Sequence, residues 1–526
     1  MWSERLSSFL YRHRFVLLAI CVLHVFWMHY RVLGFWSWDG FGHRGFPIVE
    51  LAQHGDMGKG KFNEWSLVGY IPFVELFHIP FLLVFGLKGF IIGFPLVVLP
   101  LCVAAVYLLV RELTGDPRAG FFGGFAYFAL PVINQQPFSA YIDFAVAGIL
   151  AFLLYAILRV RSSERPLAPY LQLVLATFLF TMARSQGPYM LAVLFPILAY
   201  ALFCERAGFR IRIADRRKLL LSAAAIVVGA SPAIGVQIYK LVTYGSPIAP
   251  MKFQLLGLES ATGVSVEQYF KLAGLGGTDL KSLGVGFFEG WIWKGSWPLG
   301  AFYDSRRMAA GLLFVLAVIL FPVFWRRSTR VERALLAAGL LASLMARDFA
   351  IPRCAYTTVV ALSVVIGRAM ATLAASRRGR PLFWFAFAVM CVHLLRPEFD
   401  YLQLRDREAY LTPRLNIAGT PGWRRSRWEV TLYPDGGHRL FILDAPGNNF
   451  VLQLYGQELS NVVLGTIPKD AIGPGCSGLA PYLAAHPDAL FVDDHDHAKD
   501  CKRECVAPKS YCLMWRIHPE AAAAAP

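Results

Sequence analysis

The stretch "FIIGFPLVVLPLCVAAVYLLV" at residues 90–110 decides the class of fold. It carries no charged residue over a length within the ~17–25 residues that an α-helix needs to cross a bilayer. It ends directly at "RELTGDPR", residues 111–118, a short connector with an arginine at each end. An uncharged apolar run that is closed by a basic connector is typical of a transmembrane helix and its cytoplasmic flank.

Runs of the same kind recur along the first three quarters of the 526-residue chain, and 56% of all residues are hydrophobic while 16% are charged. A soluble globular protein is about one quarter charged, so a soluble fold is excluded. The pattern predicts eleven helical spans, at approximately residues 15–33, 90–110, 119–136, 144–159, 168–183, 187–204, 219–238, 309–325, 334–346, 355–375 and 382–396.

The connectors fall into two alternating sets, and one set is rich in arginine. Basic connectors mark the cytoplasmic side, so the N-terminus is predicted in the cytoplasm and the chain after about residue 397 outside. The net charge of +16 resides largely in these connectors, which argues against nucleic-acid binding. No cleavable signal peptide is expected, because the first apolar run lacks a small-residue cleavage site. The basic connectors are 11–14, 111–118, 159–165, 205–218, 326–333 and 376–380.

One apolar segment does not fit this alternation. "SLVGYIPFVELFHIPFLLVFGLKG" at residues 66–89 is apolar enough to span, but it contains Glu75, His78 and two prolines. A full crossing here would move every later basic connector to the outside. The segment is therefore predicted to be a juxtamembrane or partly re-entrant helix, which is tolerated where it packs on protein.

The predicted fold class is an all-α polytopic membrane protein of about eleven helices with a small C-terminal extracytoplasmic α/β domain. Residues 1–396 form the membrane domain, with external loops at 34–89 and 239–308, and residues 397–526 form the external domain. In the latter, β-strands and helices alternate. The predicted strands are 438–445, 461–467, 489–494 and 511–517, and the predicted helices are 448–459 and 477–486.

Four cysteines of the C-terminal domain predict two disulfides, because their number is even and the compartment is oxidising. A zinc site of four cysteines is the alternative. "VDDHDH" at residues 492–497 contains metal-ligand types, and a solvated charged loop is the favoured interpretation. The cysteines are Cys476, Cys501, Cys505 and Cys512.

Ionisable residues gather on the external side of the predicted topology. Such groups near a membrane are costly unless they pair or bind a ligand, although each one alone is also compatible with an interfacial role. They are Asp39, Asp143, Arg184, Arg347 and Arg353.

Four stretches in this order resemble the GT-C superfamily of polytopic glycosyltransferases. They are "SWDGFGHRGFPIVELAQHGD" after the first span, "LPVINQQPFSAYIDF", "YKLVTYGSPIAPM" and "ARDFAIPRCAYTTVVALSVVIG". The group includes the aminoarabinose transferases of lipid A and the protein O-mannosyltransferases. The resemblance covers residues 1–396. Two departures stand out: the usual Asp-Glu pair is Asp39-Gly40 here, and Tyr356 comes one residue later than the typical aromatic.

The resemblance implies transfer of a sugar from a polyprenyl-phosphate carrier to an extracytoplasmic acceptor, with inversion, in a bacterial inner membrane. Asp39 is the expected general base and Asp143 the second carboxylate. Arginines suit the carrier phosphate because the guanidinium pairs with phosphate oxygens in a bidentate way. The phosphate-binding candidates are Arg353, Arg347, Arg184, Arg44 and His43. The aromatic candidates for sugar contact are Trp36, Trp38, Trp291, Trp293 and Tyr303.

Several alternatives stay open. For Arg353 the alternative is an ion pair with Asp348, and for the aromatics of the long loop it is an interfacial belt. The acceptor is a cell-envelope glycan, a lipid or a protein, and the one cofactor left open is a divalent cation. The competing functions are a membrane glycan polymerase or ligase, a flippase for a lipid-linked substrate, and a non-catalytic scaffold.

Overall fold

The structure is a computed structural model. It describes residues 14–31, 45–55, 73–134, 142–163, 167–184, 186–207, 210–247, 254–255, 258–259, 310–346, 355–405, 416–417, 431–432, 436–443, 454–455, 459–493, 501–506 and 514–517.

Most described residues before position 406 are helical, as the apolar runs predict. Among the described residues, four helical segments are long and apolar enough to cross a membrane: Gly93–Thr114, Asp143–Ser162, Arg216–Tyr244 and Tyr356–Ala375. The total of eleven crossings stays a prediction. The helices are α1 Arg14–Arg31, α2 Phe46–His54, α3 Ile79–Thr114, α4 Pro117–Ala129, α5 Pro131–Asn134, α6 Asp143–Ser162, α7 Ala168–Ala183, α8 Gly187–Phe203, α9 Arg216–Tyr244, α10 Leu312–Arg327, α11 Arg330–Ala346, α12 Tyr356–Ala375 and α13 Arg380–Arg405.

The helix bounds differ from the predicted spans most clearly at two places. The span predicted at 119–136 is divided, because α4 ends at Ala129, Leu130 is extended and Pro131 begins α5. The residue before a proline is driven out of the α region, which explains the break. Helix α13 continues to Arg405, beyond the predicted end at 396.

The connector between α8 and α9 contains an unpredicted β-hairpin. Strands β1 (Cys204–Ala207) and β2 (Arg210–Ile213) pair antiparallel. Asp215 then caps α9, since its Oδ1 accepts from the backbone N–H of Lys218 at 2.8 Å. Two further two-stranded pairs are β3 (Gln254–Leu255) with β4 (Leu258–Glu259), and β5 (Asn416–Ile417) with β6 (Thr431–Leu432).

The segment that resists the alternation folds as a helical hairpin. A 3₁₀-helix at Glu75–His78 leads into α3, which is broken at Gly86, where φ is 61° and ψ is −152°. The arms of the break pack on each other: the rings of His78 and Phe94 stack with centroids 4.0 Å apart, and a Cβ at Gly93 would overlap the Phe81 ring. The arm from Glu75 to Gly86 is shorter than a bilayer-spanning helix, and its juxtamembrane or re-entrant position stays a prediction.

The helices pack most closely where small residues let backbones approach. Helix α12 lies against α4, and the Cβ that Gly367 lacks would fall 2.9 Å from the Cα of Gly123. Close approach through small residues is how membrane helices associate, because lipid supplies no hydrophobic force between them. This contact holds α12 against the helical core.

The C-terminal residues form a mixed five-stranded sheet in the order β10-β11-β9-β7-β8. Strand β7 is parallel to β8 and β9, whereas β11 is antiparallel to β9 and β10. The four predicted strands are present and β10 was missed; most of the helix predicted at 448–459 lies outside the described residues. The elements are β7 Arg439–Leu443, β8 Val462–Ile467, α14 Lys469–Ile472, a 3₁₀-helix Pro474–Leu479, α15 Ala480–Ala485, β9 Leu490–Val492, β10 Arg503–Cys505 and β11 Met514–Ile517.

One of the two predicted disulfides is present in the described part. Cys476 and Cys501 are bonded, with their Cα atoms 5.6 Å apart. Both border a core that includes Leu443, Ile467 and Phe491. Cys512 lies outside the described residues, so the second disulfide stays a prediction.

The chain divides into two compact units, which we call the helical unit and the tail unit. The helical unit comprises 1–27, 95–137 and 142–403, and the tail unit comprises 28–94, 138–141 and 404–526. Within the tail unit, α2 packs on the C-terminal residues: the hydroxyl of Tyr455 donates to Glu50 Oε1, and the amide of Gln53 donates to Leu459 O at 2.6 Å.

Candidate active site

Asp143 stands at the first position of α6 and is fully buried. A carboxylate is favoured there, because the unsatisfied N–H groups of a helix N-terminus carry partial positive charge. The position is held from α4, where the Tyr127 hydroxyl donates to the carbonyl of Phe144 at 2.5 Å. The aspartate is therefore fixed by the packing of two helices.

Arg184 follows the last residue of α7, at the tip of the hairpin that leads into α8. Its carbonyl accepts the N–H of Gly187 at 2.9 Å, which closes the turn. Its guanidinium nitrogen Nη2 forms an ion pair with Asp143 Oδ1, and 18% of its side chain is exposed. Asp143 and Arg184 were both predicted as site residues from separate stretches, and the structure brings them together.

Tyr356 completes the cluster from the first position of α12. Its hydroxyl donates to Asp143 Oδ1 at 2.9 Å, and its ring centroid lies 5.8 Å from the central carbon of the Arg184 guanidinium. The ring is buried, and an aromatic face within about 6 Å of a cation attracts it. Asp143, Arg184 and Tyr356 thus form one unit, which we call the Asp143 cluster.

The Asp143 cluster leaves two polar atoms without hydrogen-bond partners among the described residues. These are Asp143 Oδ2 and Arg184 Nε, both buried. The arginine is held through Nη2 alone, and 18% of its side chain is exposed, so the exposed part of its planar fork can meet an anion. A fork of this kind pairs with phosphate or carboxylate oxygens in a bidentate way that lysine cannot reproduce.

All three residues lie at helix ends remote from the basic connectors. Helix α6 runs from Asp143 to a last turn that contains Arg159 and Arg161, and α12 runs from Tyr356 to the connector at 376–380. Helix α7 returns from the 159–165 connector to Arg184. The three residues therefore share the side away from the basic connectors, and the location of that side outside the cell stays a prediction.

The other predicted site residues lie outside the described residues, so their roles stay predictions. This holds for both predicted aromatic sets, for the base and for the remaining phosphate ligands. They are Asp39, His43, Arg44, Arg347, Arg353, Trp36, Trp38, Trp291, Trp293 and Tyr303.

Tyr356 is the member of the cluster that was not predicted as a site residue. The signal for it was present, because it is the aromatic of the fourth resemblance stretch. Its pairing with Asp143, 213 positions away, has no local sequence signature.

The charged stretch at 492–497 is described only at its start. Val492 ends β9, and the buried carboxylate of Asp493 pairs with Arg503 at 3.5 Å. No group of three or more metal-ligating side chains occurs within the described ranges. Asp493 therefore takes part in an ion pair, and the rest of the stretch lies outside the described residues.

Comparison with known proteins gives matches in structure and none in sequence. No protein-family model matches the chain. No curated protein matches it either.

The solved structures that are similar include the oligosaccharyltransferase of Archaeoglobus fulgidus tethered with an acceptor peptide. It is 15% identical with a TM-score of 0.45, covering 91% of this chain and 69% of that one. ArnT from Cupriavidus metallidurans in the apo state is 14% identical with a TM-score of 0.45, and the match covers 97% of this chain and 99% of that one. ArnT bound to undecaprenyl phosphate is 13% identical with a TM-score of 0.43, covering 96% and 98%. These structural neighbours are GT-C glycosyltransferases, the group that the sequence motifs of this chain resemble.

Proposed function

We propose that this chain is a membrane glycosyltransferase that moves a sugar from a polyprenyl-phosphate carrier to an extracytoplasmic acceptor. The observation that carries the proposal is the Asp143 cluster, in which an arginine is anchored at a helix end with part of its fork left open. The sequence resemblance supplies the donor class. Acceptors are a cell-envelope glycan, a lipid or a protein.

Arg184 holds the phosphate of the carrier in this proposal. Cleavage of the bond between the anomeric carbon and the phosphate oxygen leaves charge on the departing phosphate, and a preorganised cation stabilises that charge. The ion pair to Asp143 fixes the guanidinium before the substrate arrives, so little reorganisation is needed during the reaction. Arg347, Arg353, Arg44 and His43 are the further phosphate ligands of the proposal.

Asp143 acts through Arg184 instead of acting on the acceptor. Its side chain is fully buried, and Oδ1 already accepts from Arg184 and Tyr356. A general base has to reach the proton that it removes. We therefore assign that role to Asp39 and a positioning role to Asp143.

A single displacement with one base inverts the anomeric centre, whereas a double displacement needs a nucleophilic carboxylate. The use of Asp143 in an ion pair favours the single displacement. The proposal keeps the predicted eleven crossings, the cytoplasmic N-terminus and the periplasmic C-terminus in a bacterial inner membrane. Trp36, Trp38, Trp291, Trp293 and Tyr303 would contact sugar.

The test is release of free polyprenyl phosphate by the full chain in proteoliposomes, with a panel of polyprenyl-phosphate sugars and an envelope extract as acceptor. Asp39→Asn is expected to lower release by about 10²–10⁴-fold, the usual contribution of a positioned base. The matched control is Asp488→Asn, which makes the same change at an exposed position of the tail unit.

Equal release by Asp39→Asn and wild type would contradict Asp39 as the base. Absence of release by wild type with every donor would contradict the transferase, and movement of intact donor across the bilayer in that case would favour a flippase.

A further inference from the structure

A second polar site lies within the helical unit, at the helix ends opposite the Asp143 cluster. It is a cavity of about 550 Å³ between the end of α10, the last turns of α12 and the α3–α4 turn. Its charged lining is Arg326, Arg327 and Arg368 against Asp116. The formal charges of these four side chains therefore sum to +2.

Two of the charged groups in this cavity, Arg368 and Asp116, already take part in contacts that stabilise the fold. Arg368 donates to the carbonyls of Thr114 at 3.2 Å and Arg327 at 2.7 Å, and its Nε lies 3.6 Å from Glu332 Oε1. Asp116 caps α4 by accepting from the N–H of Arg118 at 2.8 Å. These contacts tie three helix ends together and form the rigid wall of the cavity.

Arg326 and Arg327 are different, because both are exposed and neither side chain pairs with another group among the described residues. They occupy the last turn of α10, where cations are favoured by the helix dipole. That preference explains one arginine at a helix end. It does not explain why two adjacent guanidinium groups border a cavity with spare positive charge.

Apolar surface continues from the cavity along α10. Val323 lines the cavity itself, and on the same side of α10 the side chains of Ile319 and Leu312 are 47% and 39% exposed. The site thus offers cationic groups at the helix ends and an uncovered apolar track running into the membrane.

We propose that this cavity binds the headgroup of an anionic phospholipid in the leaflet at the basic connectors, with an acyl chain along α10. Arg326 and Arg327 pair with the phosphate oxygens, and the wall built by Arg368 fixes the depth of the headgroup. Basic pockets between membrane helices are suited to anionic headgroups. The apolar track distinguishes a lipid from a free phosphate ion, which would use the arginines alone.

The test is native mass spectrometry of the full chain in detergent, titrated with phosphatidylglycerol and separately with phosphatidylcholine. Wild type is expected to retain phosphatidylglycerol preferentially. Arg326→Gln/Arg327→Gln is expected to bind it about 25-fold more weakly, since each of the two basic groups near an anionic headgroup contributes about fivefold. The matched control is Arg377→Gln/Arg378→Gln, which removes the same charge from exposed positions in a neighbouring connector that do not line the cavity.

Equal weakening by the two double variants would overturn the proposal in favour of general surface attraction. Unchanged binding by Arg326→Gln/Arg327→Gln would overturn it outright. Displacement of the lipid by millimolar inorganic phosphate would overturn the lipid assignment and leave a phosphate site. Transfer activity is not required for any of these results, so failure here is distinct from failure of the glycosyltransferase proposal.

Discussion

Both units contain an arginine–carboxylate ion pair, a cation–π contact and a tyrosine hydroxyl that donates to a carboxylate, but the units arrange these three interactions differently. In the helical unit, Asp143 accepts both an arginine and a tyrosine hydroxyl on one oxygen. In the tail unit these contacts are divided: Asp493 pairs with Arg503, which lies 4.0 Å over the Trp515 ring, and Glu50 accepts the hydroxyl of Tyr455.

A buried ion pair is therefore not by itself a mark of function in this molecule. Asp493 and Arg503 are only ten positions apart and join the end of one strand to the start of another. The Asp143 cluster joins the ends of three helices, and its arginine keeps an unpartnered nitrogen among the described residues. The Asp143 cluster differs from the tail ion pair because three helix ends converge on one arginine whose guanidinium is only partly paired.

The largest expected effect comes from removing the arginine of each pair. Arg184→Gln is expected to lower release of polyprenyl phosphate by about 100-fold or more, the usual cost of losing a preorganised donor at developing charge. Arg503→Gln is expected to leave release per folded molecule unchanged. The arginine side chains are similarly exposed, at 18% and 16%, and both variants leave a fully buried carboxylate. The comparison therefore cancels most of the destabilisation that unpaired buried charge causes.

Arg184→Lys tests whether the charge at this position is sufficient without the guanidinium fork. It keeps the charge and loses the fork, so recovery of full release would show that only charge matters and would contradict phosphate binding by the guanidinium. Equal losses of release in Arg184→Gln and Arg503→Gln would remove the distinction between the two units.

The next effect concerns the disulfide of the tail unit. Cys476→Ser/Cys501→Ser is expected to destabilise that unit by about 3 kcal/mol, because the bond closes a loop of 25 positions. Cys501 lies two positions before Arg503, so the strand that carries the tail ion pair should loosen with it. Limited proteolysis should show faster cleavage after residue 436, with α6, α7 and α12 still protected. Cys391→Ser, at a free cysteine of α13, is the control, and equal cleavage in both variants would refute the expectation.

The smallest effect is a pH dependence in the tail unit. Burial, together with the charge of Glu50, raises the pKa of Tyr455 well above its usual value of about 10. The folded unit thus keeps a proton that the unfolded chain loses, so this stabilisation is present below about pH 10 and falls at higher pH.

Denaturant unfolding of wild type should accordingly weaken more steeply above about pH 10 than that of Tyr455→Phe. Tyr482→Phe removes a hydroxyl from the same unit at a half-buried position and should follow wild type. A Tyr455→Phe profile parallel to wild type would contradict the assignment.

The sequence predicted the helices well, because apolar length and flanking charge decide them locally. The predicted span 168–183 coincides with α7, and 355–375 differs from α12 by one residue. Prediction from the sequence failed where long-range packing determines the structure. The strand Arg503–Cys505 has no apolar alternation, and the hairpin at Glu75–Phe94 depends on contacts between its own arms.

The candidate site shows the same limit. Position at a helix end was enough to select Asp143 and Arg184, because charge at such ends is rare without a reason. Their pairing with Tyr356 depends on α12 packing against the helical core, which hydropathy does not encode. The buried Nε of Arg184, which has no hydrogen-bond partner among the described residues, is likewise a result of tertiary packing.

The break in α3 has a consequence for how sequences of this type can diverge. Gly86 adopts a backbone conformation that only glycine reaches easily, and Gly93 leaves room for the ring of Phe81. A side chain at position 93 is accommodated only if position 81 shrinks, and a side chain at 86 opens the hairpin and removes the crowding. Among related chains, the residues at positions 81, 86 and 93 should therefore covary.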